Sequence, residues 1–132
     1  MIVVLDASVV LASLLPDEHS DMSTTLMRRL TSSPALVPTL WTYEVVAGIR
    51  AAERRGRLDP DDAARAVALV ETLPIEQHQP RGTTMLHLSR RADISPSDAS
   101  YLAVALDHAV PLATFDERMR TAAITLGVPL AA

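Results

Sequence analysis

The sequence predicts an α/β fold with a central parallel sheet of about five short strands. Two observations carry that reading. Short apolar runs rich in β-branched residues alternate with longer amphipathic stretches, which is the pattern of parallel strands joined by helices. Pro and Gly stand at most of the joins, where the chain must turn.

Ile2–Leu5 is a continuous apolar run and reads as a buried strand. Ser8–Leu15 reads as a short helix stopped by Pro16, and Ser20–Leu30 as a second, with Met22, Leu26, Met27 and Leu30 at helical spacing. After the Ser32-Ser33-Pro34 break, Ala35–Val37 reads as a strand. Thr39–Arg55 is expected to be a helix, with Trp41, Val45, Gly48, Ile49 and Ala52 on one face, Arg50 and Arg54 facing away, and Gly56 as the stop. Asp59-Pro60 opens a helix running to about Leu73, with acids in its first turn. Pro74–Gln77 reads as a strand and Thr83–Ala92 as a helix. Ser95-Pro96-Ser97-Asp98 opens the next helix, Pro111–Thr114 a strand, Asp116–Leu126 a helix closed by Gly127, and Val128–Leu130 a last strand. No linker or repeat interrupts the series, so residues 1–132 read as a single domain.

Composition narrows the chemistry. With 132 residues and 48% hydrophobic residues, the chain can bury a core without disulfides. It has no Cys, which removes thiolate metal sites and cysteine nucleophiles. All 12 basic residues are Arg, so no lysine nucleophile or P-loop lysine exists. Aromatics at 3% argue against a stacking platform for single strands. The amino-terminal apolar run lacks a basic flank and is broken by Asp6, unlike a signal peptide. No uninterrupted apolar run reaches the roughly 18 residues of a membrane span.

Four acids are candidates for one site. Asp6 follows the first strand, and Asp116 follows the strand ending near Thr114. If those strands are neighbours where strand order reverses, the two carboxylates meet beyond the sheet. Glu44 and Asp98 lie in early turns of their helices, which could face the same end. Taken singly, each has a bland alternative: Asp6 and Asp116 as N-caps, Asp98 as the third residue of a capping box begun by Ser95, Glu44 as a solvated helix-edge residue. Four carboxylates gathered together would call for a divalent cation, and oxygen donors favour Mg²⁺ or Mn²⁺. Without these four acids the remaining 12 acidic and 12 basic residues balance, so the formal net charge of −4 would reside in the site.

Other polar features read as structural. His19, His78, His87 and His108 show no ligand spacing. Arg50, Arg54, Arg55 and Arg57, like Arg90 and Arg91, form solvated faces that could also hold phosphates. Trp41 and Met85 are expected in the core. Asp17 and Glu18 read as an exposed loop pair, and Asp59, Asp61 and Asp62 as helix-start acids.

The segments VVLDASVVLASLLPDE, TYEVVAGI, SPSDASYLAVALDHAVPLATFD and LGVPL, in that order, resemble the PIN-domain ribonucleases, specifically the VapC-type toxins of bacterial type II toxin–antitoxin pairs. The resemblance spans essentially the whole chain. It implies a three-layer α/β/α fold, often a dimer, and a Mg²⁺- or Mn²⁺-dependent acidic site that cuts RNA to leave 5′-phosphate and 3′-hydroxyl ends. The family's four acids match Asp6, Glu44, Asp98 and Asp116, and its supporting hydroxyl positions match Ser8 and Thr114. A cytoplasmic location and a small antitoxin partner covering the groove also follow from it. A housekeeping PIN-domain RNA-processing nuclease and a catalytically silent PIN-fold binding module are the alternatives within the fold. A phosphate-accepting receiver domain would need paired acids after the first strand and a late lysine. A haloacid-dehalogenase-type phosphotransferase would need Asp-x-Asp, where this chain has Asp6-Ala7-Ser8.

Overall fold

In the computed structural model, residues 2–16, 18 and 20–131 are described. Asp17 and His19 fall outside them. Four strands pair in parallel: β1 (Val4–Leu5), β2 (Ala35–Pro38), β3 (Ile75–His78) and β4 (Leu112–Ala113). Their order is β3-β2-β1-β4. The chain therefore builds outward from β1 through β2 to β3, then returns to lay β4 on the other side of β1. Strand order reverses between β1 and β4, which creates the crevice where open α/β sheets bind ligands.

Strands β1, β2 and β4 are buried because helices cover them. Val4, Leu5, Ala35, Val37, Leu112 and Ala113 are fully inaccessible to solvent. The edge strand β3, IEQH, is only partly covered. The expected fifth strand is reduced to a single parallel bridge between Leu112 and Leu130. Leu112 N–H donates to the Pro129 carbonyl, but Pro129 has no N–H with which to extend a ladder.

Among the described residues seven α-helices surround the sheet: α1 (Ala7–Leu14), α2 (Asp21–Arg28), α3 (Trp41–Arg54), α4 (Pro60–Val70), α5 (Gly82–Ala92), α6 (Pro96–His108) and α7 (Glu117–Leu126). They pack in two groups that give the three-layer arrangement. One joins α1 to α2 and α3, and α3 to α4; the other joins α6 to α5, and α5 to α7, with α6 lying on β1, β2 and β4. Helix α6 is buried on every face through its middle, from Ala99 to Ala105, because it is the helix seated on the sheet.

Capping follows the sequence. Ser20 and Ser23 form a reciprocal capping box on α2, and the Asp59 side chain accepts from Asp62 N–H ahead of Pro60. Gly56 and Gly127 adopt positive φ just after α3 and before the last segment, where a Cβ would be strained. Gly48 has a different reason. A Cβ there would stand 2.5 Å from Leu11 Cδ1, so its hydrogen lets α1 and α3 approach closely. Trp41 is in the core, as expected, whereas Met85 is not. Only Leu88 of α5 is buried, since that helix rests on α6 and α7 rather than on the sheet.

Candidate active site

Two strand ends and two helix starts converge at the carboxyl edge of the sheet. Asp6 follows β1 directly, and its residue is buried although its side chain ends in a charge. Its backbone stands at the N-cap of α1, but the carboxylate forms no cap bond. It is instead held by hydroxyls. Thr114 Oγ1–H donates to Asp6 Oδ2 at 2.6 Å, and Ser8 Oγ–H donates to the same oxygen at 2.7 Å. Each hydroxyl is oriented in turn by a backbone amide: Phe115 N–H donates to Ser8 Oγ at 3.1 Å, and Asp116 N–H to Thr114 Oγ1 at 3.1 Å. The β4–α7 loop is thereby tied to Asp6, and neutral donors occupy one carboxylate oxygen while Oδ1 is clear of hydroxyls.

Glu44 enters from the first turn of α3. It is not a free helix-edge acid. Tyr101 Oη–H of α6 donates to Glu44 Oε1 at 2.5 Å. Tyr101 is fully buried, and burial together with Glu44 drives its phenol far above the ordinary range, so it remains a donor. This residue escaped the sequence reading. Its spacing marks it as core, and nothing short of the folded contact shows that its hydroxyl reaches α3.

Asp98 lies at the third position of α6. Ser95 Oγ accepts from Asp98 N–H at 3.0 Å, which is the first half of a capping box. The Asp98 carboxylate feels the charges of Asp116 and Asp6, against a side-chain hydrogen bond with Ser95. Asp116, by contrast, caps α7: its Oδ1 accepts from Arg118 N–H at 2.9 Å and Met119 N–H at 3.2 Å. The bland reading of Asp116 therefore holds alongside its position beside Asp6.

The charges act on one another. Burial raises the proton affinity of Asp6 above that of an ordinary aspartate; Thr114 and Ser8 oppose this, and Asp116 adds to it. Burial also raises Glu44; Tyr101 opposes, and the charges of Asp6 and Asp98 reinforce. Asp98 is raised by burial and then by Asp116 and Asp6, against Ser95 and Arg118. Three acids that each hold protons too tightly, for partly shared reasons, form a site short of positive charge. Among the described residues, no three His, Asp or Glu groups are close enough to form a ready ligand cage. That arrangement suits an ion bound by one or two carboxylates through retained waters better than a fully dehydrated one, and the all-oxygen donor set suits a hard cation.

Residues 3–124 match the model of the PIN domain. Over 118 residues, the chain is 33% identical to "VapC ribonuclease Mb0985" of Mycobacterium bovis and to "Ribonuclease VapC9" of Mycobacterium tuberculosis, covering 89% of this chain and 87% of each relative. The chain belongs to the PIN-domain family, on its VapC branch. Two solved structures share the fold. One, PAE2754 from Pyrobaculum aerophilum, has a TM-score of 0.72 at 22% identity and covers 92% of this chain and 79% of that one. The other, the sarcin-ricin loop cleaving toxin VapC20 of Mycobacterium tuberculosis, has a TM-score of 0.61 at 17% identity and covers 92% and 95%.

Around this PIN site the remaining expectations sort by position. His87 is exposed, and the rings of His78 and His108 meet tilted at 57° with centroids 4.2 Å apart, a pairing 30 positions of sequence conceal. Neither ring belongs to a metal-holding group of the described residues. Arg50 pairs with Glu53 and Arg57 with Glu18, while Arg54 and Arg55 are exposed. No helix is long and apolar enough to cross a membrane among the described residues.

Proposed function

We propose that this chain is a toxic metal-dependent endoribonuclease, the toxin of a type II toxin–antitoxin pair, hydrolysing RNA phosphodiester bonds at Asp6, Glu44, Asp98 and Asp116. The carrying observation is the convergence of these acids on the β1/β4 reversal point, with three of them holding protons too tightly. The VapC ribonucleases it resembles support the activity and the RNA substrate. Residues 1–132 act as a single PIN domain in the cytoplasm, as a homodimer, until a small antitoxin covers the acidic groove.

Asp6 and Asp98 are the first candidates for direct metal ligands, followed by Glu44. Asp116 is better suited to act through water, because one of its oxygens is committed to the α7 cap. A bound Mg²⁺ or Mn²⁺ would supply the charge that keeps these acids ionised, polarises the phosphate and lowers the pKa of a bound water. The chain's own part is positioning. Ser8 and Thr114 fix the Asp6 carboxylate from one side, and Tyr101 fixes Glu44, so the oxygens are oriented before the substrate arrives.

Induced expression of the parent chain and of Asp6→Asn, with sequencing of cleaved RNA ends, tests the proposal. Growth arrest with new 5′-phosphate ends from the parent alone is the expected result. Equal effects from both chains would overturn it.

A further inference from the structure

A groove of about 580 Å³ leads away from the carboxylates between α1 and α3. At its acidic end lie Ser8, Phe115 and Asp116, residues of the site already described. Its other end is lined by Arg55, Arg57 and Glu18. Between them the wall is apolar, with Leu11, Ala12 and Ala51. Gly48 also lines it, and its missing side chain belongs to the same close approach of α1 and α3.

The two arginines differ. Arg57 pairs with Glu18 at 2.5 Å. Arg55 is exposed and, among the described residues, has no ion pair or side-chain hydrogen bond. An exposed guanidinium at one end of a groove, with an acid cluster at the other, is a polarity that fits a chain carrying repeated anionic groups. Guanidinium matches phosphate geometrically, through two parallel N–H donors. The apolar wall and the Phe115 ring suit sugar and base faces between phosphates. Since the chain's formal net charge is −4, backbone capture must come from local arginines of this kind.

We infer that the α1–α3 groove is the track along which single-stranded RNA leaves the acidic site, and that Arg55 grips a backbone phosphate displaced from the one being cut. This rests on the ribonuclease reading above and adds a direction and a named contact to it.

The test uses the full chain carrying Asp6→Asn, which on that reading binds without cutting, and a fluorescein-labelled, mixed-sequence single-stranded RNA. Anisotropy titrations across a salt series give Kd and its salt slope. With Arg55→Ala added, Kd should weaken about tenfold at low salt, and the slope should flatten by about 0.7, the loss of one phosphate contact to a single strand. Arg55→Lys should retain the slope and part of the affinity. Arg65→Ala, whose side chain pairs with Asp62 on α4, should change neither. Unchanged Kd and slope with Arg55→Ala would overturn the groove assignment, as would equal losses from Arg65→Ala. If Arg55→Ala spares RNA binding but releases a co-expressed protein inhibitor, the groove belongs to that partner instead. The ribonuclease reading is judged separately, by the RNA ends from cells expressing the parent chain.

Discussion

Replacing Tyr101 by Phe isolates the contact that joins α3 to α6 at the site. The ring stays, so no cavity opens in a position that is fully buried. What is lost is the 2.5 Å donation to Glu44 Oε1. A hydrogen bond to a charged partner contributes about 1.5–3 kcal/mol, and Glu44 is half-buried, which lets water replace part of the donor and places the cost near about 1.5–2 kcal/mol. For 132 residues at about 2.1 cal/mol/K each, the unfolding entropy is about 0.28 kcal/mol/K, so Tm should fall by about 5–7 °C. The sign with pH follows from the protonation state the bond favours. Tyr101 lowers the proton affinity of Glu44 against burial and against Asp6 and Asp98. Its loss hurts only where Glu44 is ionised. The Tm difference should therefore be full at pH 8 and close as pH falls towards the ordinary glutamate value of 4.5. Calorimetry of both chains from pH 4 to 8 measures it. A gap that stays constant across that range, or one under about 1 °C at pH 8, would refute the assignment of Tyr101 as a donor to a charged Glu44.

Two further outcomes follow from the same electrostatics. Asp6, Glu44 and Asp98 all bind protons more tightly folded than unfolded, so their contribution favours folding at low pH and is lost as pH rises through their folded pKa values. Asp6→Asn keeps an acceptor for Ser8 and Thr114 but removes one charge; it should be more stable than the parent at pH 8 in urea denaturation, with the difference shrinking as pH falls through the raised folded value and gone by the ordinary aspartate value of 3.8, and a less stable variant at pH 8 would contradict the account of a buried, repelled charge. Thr114→Val, at a fully buried position, strips a donor from the Asp6 carboxylate and should cost about 2–3 kcal/mol. In a double-mutant cycle with Asp6→Asn the two changes should couple by at least about 1 kcal/mol, and strict additivity would show that Thr114 serves packing rather than the carboxylate.

The fold was legible where periodicity was strong. Trp41, Val45, Ile49 and Ala52 mark the buried face of α3, and the apolar run before Asp6 marks an inner strand. Legibility failed where a strand depends on a donor that proline lacks, as at Pro129, and where a helix rests on helices instead of the sheet, as with Met85 on α5. The placement of the four proposed acids was legible because strand ends and helix starts are readable positions. Their anchors were less so. Ser8 and Thr114 came from resemblance, and Tyr101 was hidden because a buried tyrosine at core spacing advertises its ring, not its hydroxyl. The α1–α3 approach was similarly silent: Gly48 looks like a weak helix residue until Leu11 stands against it.

The way the acids are held bears on what the site is built to receive. Asp6 and Glu44 are each fixed by neutral hydroxyls, and no arginine forms an ion pair with either among the described residues. An internal cation would have relieved the repulsion and stabilised the folded chain. Arg118 opposes the raised proton affinity of Asp98. Hydroxyl donors orient a carboxylate without neutralising it, so the deficit of positive charge is preserved at the cost of stability. A site that served only to hold the β4–α7 loop in place would gain from an arginine there. One that must accept a cation and a phosphate together would lose its affinity for the ion. Among the described residues Asp6 and Glu44 have hydroxyl partners and no arginine partner, an arrangement that accords with the exchangeable cation of the proposed function.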